Sequence, residues 1–342
     1  MNNTTEIPWN ITTESTGGGG GDGSDNVDKI MKAVFAAIGF TGIVGNTLVI
    51  MVFVRMHRTS PSGLSSTNIF ILNQSCMDLM SSLLLVAQHL IPVGPIPAGI
   101  PGDVFCKLWA SSYYPMWACF LGSTFNLVLL TFERYFAICH PIKHHTSFTQ
   151  KRAKIMVALV WPFSFGYELH WAMVQMNDGA GGCTQYWEPW LQYLGSFVVI
   201  FQYIIPIIIM ACVYISILRV VRRSTKIHAS GPRKEGEPAE NGSKPLSKTE
   251  KNIIQTLLIV AVTYIICWSP NQIVYFGFNI GFDVDFNSVF FRYGIVSVCA
   301  NMCINPFIYA CKLKDFREQV KKIFGCKNHS ADNQGITLST NT

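Results

Sequence analysis

The chain of 342 residues is 49% hydrophobic and only 13% charged, with 23 Phe and 8 Trp, a composition too apolar for a soluble protein of this length and one that points to a membrane protein. Its 26 basic residues outnumber its 20 acidic ones. The bases are interleaved with long apolar runs, however, and form no recognition module, which argues against nucleic-acid binding.

The first 29 residues lack the apolar core of a cleavable signal peptide, so the first helix is expected to start translocation itself. Asn2, Asn3 and Asn10 each open an Asn-X-Ser/Thr triplet, a glycosylation site if this end faces the secretory lumen, and the tract "STGGGGGDGSD" reads as a flexible linker. Seven stretches long enough to cross about 30 Å of hydrocarbon as helix then follow. They run from Ala33 to Val54, Thr67 to Ile91, Phe105 to Cys139, Ile155 to Val174, Trp190 to Leu218, Ile253 to Phe278 and Ser288 to Cys311. The fourth is the weakest, interrupted by Pro162, Glu168 and His170. Ala229 to Lys248 reads as a second linker. In "KLKDFREQVKKIFGC", Leu313, Phe316, Val320, Ile323 and Phe324 can share one helical face along the inner membrane surface, with Cys326 a candidate palmitoylation site. The predicted architecture is an all-α membrane protein. An outer tail (1–29) precedes a seven-helix bundle (30–311), an amphipathic eighth helix (312–326) and an inner tail (327–342).

Charge placement supports an outside amino terminus. The inner segments then hold 22 of the 26 bases and 8 acids, the outer ones 4 bases and 11 acids, with Asp78 alone in mid-membrane. This is the bias of the positive-inside rule, although Lys29 and Lys32 flank the outer end of the first helix against it. Of eleven Cys only Cys106 and Cys183 fall on the outer side, where an oxidising compartment favours a disulfide that would pin the loop before the fifth helix; two free thiols are the alternative.

Glu133 and Arg134 close an apolar run in "LTFERYFAICHP". Arg134 lies 28 residues after Cys106, about 42 Å along a helix, which places the pair at the inner boundary of the bilayer. Neighbours in sequence point in different directions around a helix, leaving Arg134 able to reach Glu250 at the inner start of the sixth helix. The alternative is an arginine that snorkels to the headgroups.

With "GNTLV" around Gly45 and Asn46, "LNQSCMDL" containing Asp78, "ERY" at Glu133 to Tyr135, Trp161, Pro206 followed by Tyr214, "CWSP" at Cys267 to Pro270 and "NPFIY" at Asn305 to Tyr309, the chain resembles the rhodopsin-like G-protein-coupled receptors from Ala33 to Cys326. The resemblance implies a switch built on Glu133, Arg134, Tyr135, Tyr214, Glu250, Trp268, Pro270, Asn305, Pro306 and Tyr309, with a heterotrimeric G protein as partner and arrestin and receptor kinases acting after it. It also implies a sodium ion among Asp78, Ser123, Asn301 and Asn305 in the resting receptor, the alternative being a protonated, hydrogen-bonded Asp78. Pro270 and Pro306 remove backbone donors and kink their helices, so a push near Trp268 could be magnified at the inner end. Four departures stand out. Glu133 replaces the commoner Asp, the fourth helix has no proline near its outer end, Tyr264 stands where Phe is usual, and the Cys106 to Arg134 spacing is about one turn long, so that the outer part of the third helix is expected to bulge or its register to differ.

An amine receptor needs an acid in the third helix and a retinal pigment a lysine in the seventh, and neither residue is present in those stretches. A peptide fits the wide polar and aromatic outer surface, with Gln88, His89, Met116, Phe120, Trp187, Asn271, Gln272, Tyr275 and Arg292 as candidate pocket residues and "CTQYWEP" resembling the hairpin lid of many peptide receptors. The acidic outer face would draw in a basic peptide. A small lipid-like molecule is the second candidate. A transporter or channel would show charges along a path or an inverted repeat, and an enzyme a nucleophile-and-base or metal set; the sequence offers neither.

Overall fold

The computed structural model describes residues 22–325 apart from 62, 187, 189, 230–246, 286 and 287. Helix α1 (Asp22–Thr59) begins upstream of the boundary expected at residue 30, so the last residues assigned to the outer tail are helical. There follow α2 (Ser66–Leu90), α3 (Ile100–Phe105), α4 (Tyr114–Cys139), a short α5 (Pro141–Ser147), α6 (Gln150–Met173), the strands β1 (Gln175–Asn177) and β2 (Cys183–Gln185), α7 (Trp190–Val199), α8 (Ile205–Ala229), α9 (Lys248–Asn279), α10 (Val289–Lys312) and α11 (Lys314–Ile323). Wide π-helical turns at Cys106–Ala110 and Ile200–Ile204 extend α3 and join α7 to α8. Asn2, Asn3, Asn10, Trp187 and Cys326, with most of the second linker and the inner tail, lie outside the described residues.

Among the described residues six spans are long and apolar enough to cross a membrane, two of them Ile100–Cys139 and Trp190–Arg223. The remaining crossing, α6, has the length, about 36 Å, but carries Lys151, Arg152, Lys154 and Glu168. Many exposed apolar side chains, such as Val44, Leu159, Ile208 and Ile266, point out of the bundle, as lipid as solvent requires. Short polar side chains start the helices. Ser65, Thr149 and Ser288 accept the N–H three residues on, each at 3.3 Å, and so satisfy first-turn donors of α2, α6 and α10.

The extra turn in the third crossing is taken up by a break. After the Cys106–Ala110 turn the chain passes Ser111 and Ser112, enters the left-handed region at Tyr113 (φ 49°), and restarts as α4 with Pro115 in its first turn. On α1, Gly39, Gly42 and Gly45 recur every three residues; a Cβ at these positions would meet Val86, Ser82 and Pro306 respectively, so their absence lets α2 and α10 close in.

Pro206, Pro270 and Pro306 interrupt helices in the bundle, as does Pro162 in α6, and each removes the backbone donor to a carbonyl one turn earlier. Pro206 cannot donate to Gln202, whose carbonyl oxygen accepts the Tyr264 hydroxyl instead (3.2 Å). Pro306 frees the carbonyl of Met302, which accepts Asn46 Nδ2 (2.9 Å). Pro270 displaces the carbonyl of Ile266, and the adjacent Cys267 carbonyl is taken by Ser297 Oγ (2.6 Å). The hydroxyl that distinguishes Tyr264 from phenylalanine thus has a use, and Thr124 Oγ1 donates to it as well (3.4 Å).

Candidate functional site

At the inner end, Glu133 is fully buried. Its carboxylate accepts hydrogen bonds from Arg134 Nη2 (2.7 Å), Ser66 Oγ (2.7 Å) and Thr67 Oγ1 (3.2 Å), and pairs with His144 Nε2 (2.9 Å). Arg134 also bonds Thr67, and only 13% of its side chain is exposed. A buried carboxylate is tolerated when such donors surround it. The expected Arg134–Glu250 pair does not form. Glu250 is exposed and accepts the N–H of Ser247 (2.7 Å), while Ser247 Oγ accepts the N–H of Glu250 (3.1 Å), a reciprocal cap that uses the acid on its own helix. Nor does the i, i+1 spacing separate Glu133 from Arg134, because the long arginine side chain folds back around α4. Tyr135 faces away, its hydroxyl 3.3 Å from His140 Nε2. Tyr214 lies within electrostatic range of Arg134, and Tyr309 within that of Tyr214.

The core carries a continuous polar chain. Trp161 Nε1 donates to Asn73 (3.0 Å), Asn73 Nδ2 to Asn126 Oδ1 (2.9 Å) and Asn126 Nδ2 to Gln74 Oε1 (2.9 Å); Gln74 bonds Ser123, and Ser123 Oγ donates to Asp78 Oδ1 (3.2 Å). Asn305 Nδ2 donates to Asp78 Oδ2 (2.8 Å), and Gln74 Nε2 lies 3.4 Å from Oδ1. Among the described residues Asn301 is buried but contributes none of these bonds to Asp78. One carboxylate among neutral oxygens, one of which, Asn305 Oδ1, has no hydrogen-bond partner, fits a monovalent cation. The Gln74 amide points its donor group at the same oxygens and would have to turn aside. No group of three His, Cys, Asp or Glu among the described residues could hold a metal ion.

Above this, Trp268 stacks edge-on with Phe120 (5.8 Å between centroids) and Trp117 (6.4 Å). An aromatic cleft toward the outer end is lined by Phe35, His89, Tyr113, Met116, Trp117 and Trp171 among others. A second cleft shares Trp171 and adds His170, Gln185, Tyr275 and Asn279. Of the pocket residues expected from the sequence, His89 and Met116 line the first cleft and Tyr275 the second, while Phe120 lies one layer deeper. Gln88, Asn271 and Gln272 are buried with side-chain oxygens lacking hydrogen-bond partners, and Arg292 is half-buried in the first turn of α10.

The disulfide Cys106–Cys183 forms and ties β2 to the top of the third crossing. The antiparallel hairpin pairs Gln175 with Gln185 and Asn177 with Cys183. Asn177 N–H donates to Asp103 Oδ1 (2.9 Å) and Ser111 Oγ to Gln175 Oε1 (2.8 Å), which fixes it further. Beyond it, the Tyr186 hydroxyl donates to Glu188 (2.6 Å), and this bond to a carboxylate raises the phenol pKa.

Residues 45–309 match the family model described as the 7 transmembrane receptor (rhodopsin family). The chain is a rhodopsin-family seven-transmembrane receptor. Curated relatives of this receptor include the galanin receptor type 1 of Rattus norvegicus, 29% identical over 296 residues (84% of this chain, 79% of the relative), and that of Homo sapiens, 29% identical over 296 residues (83% and 78%). The galanin receptor 2a of Danio rerio is 28% identical over 298 residues (84% and 76%). The receptor is therefore a multi-pass plasma-membrane protein and not an enzyme.

The receptor's site includes residues that the sequence alone did not single out. His144 reaches Glu133 only because Pro141 starts a short helix in the second inner loop, and His140–Pro141 was the available signal. Gln74 lies one turn before Asp78, a spacing that puts both on one face of α2. Asn126 carries no comparable cue.

Proposed function

We propose that this receptor, with its amino terminus outside and its carboxyl terminus in the cytoplasm, binds an extracellular peptide at the outer clefts and activates a heterotrimeric G protein. Agonist contacts favour a bundle in which the inner end of α9 swings outward and Arg134 is released to a G-protein helix. The observation that carries this reading is the latch, in which a nearly buried arginine is closed on Glu133 at the mouth of the bundle. Trp268 and the kink at Pro270 lie between that mouth and the clefts. Relatives named as receptors for galanin, a peptide, support the ligand class. Arrestin and receptor kinases would act on the same inner face once it opens.

A lipid-like ligand is the second reading, favoured by the aromatic lining of the first cleft. An arrayed peptide library applied to membranes containing the receptor, read by nucleotide exchange on added G protein, separates the two. Stimulation by peptides is expected; stimulation by acyl lipids with silence from every peptide rejects the peptide reading, and stimulation by nothing rejects coupling.

Asp78, Ser123, Asn305 and, after a side-chain turn, Asn301 would hold a sodium ion that supplies a compensating charge to the Asp78 carboxylate in the resting bundle. Asp78→Asn is expected to remove any sodium sensitivity of agonist affinity, and Gln74→Leu, which withdraws the competing amide, to increase it. Sodium titrations of agonist competition curves check both, and a full sodium effect in Asp78→Asn would count against the site.

A further inference from the structure

Glu168 stands in α6, five residues before its outer end, or about 8 Å of helix. By sequence it is one of the outer-side acids, but the fold buries it to 2% exposure. Gln202 Nε2 bonds its Oε1, while Oε2 has no hydrogen-bond partner. The Tyr167 hydroxyl and His170 Nε2, on the same turn of helix, are buried without partners too. Among the described residues no lysine or arginine compensates Glu168. Lys107, which reaches the outer end of α6, is bonded to the Met173 carbonyl (3.2 Å). A carboxylate set this deep with half its acceptor capacity empty is costly, and a partner normally resolves that cost.

The surroundings indicate where such a partner would enter. Tyr114, Tyr167 and Tyr275 are the electrostatic neighbours of Glu168. Tyr275 and His170 line the second outer cleft, where Tyr275 packs against Trp171 at 5.9 Å between centroids. An acid backed by aromatic rings is suited to a guanidinium or ammonium group, which gains both the ion pair and contact with ring faces.

We propose that Glu168 is the counter-ion for a basic side chain of the peptide agonist, entering through the cleft between α6, α7 and α9. This rests on the peptide-receptor reading and adds what that reading leaves open, the chemistry of one ligand group and the residue that selects it. Gln202 acts as a positioning residue, holding one carboxylate oxygen and leaving the other to accept the incoming cation. No acid is needed on α4, where an amine receptor would place it, because α6 supplies one.

The test uses amidated hexapeptides in which one position is fixed as Arg, as citrulline (its neutral isostere) or as Leu, applied to membranes containing the full-length receptor and read by nucleotide exchange on added G protein. Arg-fixed pools are expected to be at least about tenfold more potent than their citrulline counterparts, as for loss of a charged hydrogen-bonded pair. That advantage should fall to less than about threefold in Glu168→Gln and survive in Glu168→Asp. Equal potency of Arg and citrulline pools on the unaltered receptor overturns the proposal while leaving a peptide receptor in place, and it does so even if Glu168→Gln fails to reach the membrane. An Arg preference that Glu168→Gln leaves intact at matched surface density also overturns it. Silence from every pool, with activation by an acyl lipid, removes the peptide reading and this inference together.

Discussion

Glu133→Gln is expected to raise ligand-independent nucleotide exchange several-fold over the unaltered receptor at equal surface density. The carboxylate of Glu133 gathers Arg134, Ser66, Thr67 and His144 around itself, and none of its surface is exposed. An amide of the same shape keeps the volume, loses the charge, and turns one acceptor into a donor facing other donors. Hydrogen bonds to charged groups contribute about 1.5–3 kcal/mol each, so losing one would shift the latched-to-open ratio roughly tenfold or more and weakening one shifts it several-fold. Glu250→Gln provides the contrast. That side chain caps its own helix, and a glutamine still accepts the Ser247 N–H, so the loss is expected to stay below about 1 kcal/mol of first-turn stability with basal exchange unchanged. Exchange of labelled nucleotide on purified G protein measures both variants. A quiet Glu133→Gln receptor, or a Glu250→Gln receptor that signals without agonist, would place the restraint elsewhere.

Loss of the outer disulfide is expected to be nearly as severe. Cys106 and Cys183 are separated by 77 residues, and a covalent tie across a loop of that size contributes roughly 4 kcal/mol by restricting the open chain. It also anchors the hairpin over the second cleft, a task that the Asn177–Asp103 and Ser111–Gln175 hydrogen bonds share but are too weak to perform alone. Cys106→Ser, Cys183→Ser and the double variant should lose agonist binding to the same extent, because each breaks one and the same bond. Saturation binding on intact cells checks this. A single variant that binds normally would show the hairpin to be held by its hydrogen bonds.

The crossings were legible because apolar length is a direct consequence of bilayer thickness, and α6 was the weakest for a visible reason, its interruption by Pro162, Glu168 and His170. The long spacing from Cys106 to Arg134 announced a bulge; it could not say that the break would fall at Ser111 to Tyr113, which depends on how the Cys106–Ala110 turn meets Pro115. Glu250 was misassigned although the local cue was present. A serine three residues before a glutamate is a helix start, and a cap at hand forms in preference to a pair that must span two helices. His144, Gln74 and Glu168 acquire their roles from contacts between helices distant in sequence. Tyr264 could be seen as a departure, but its acceptor became evident only with Pro206 beside it.

The three tethered carbonyls beside Pro206, Pro270 and Pro306 carry a mechanical consequence. Gln202 is held from α9, Cys267 from α10 and Met302 from α1, so the tethers run in one direction around the bundle, each hinge clasped by the next helix along. A hinge cannot flex alone without surrendering its neighbour's grip. Three clasps of about 1 kcal/mol apiece amount to a modest threshold, low enough for differential affinity to overcome and high enough that the helices yield in concert.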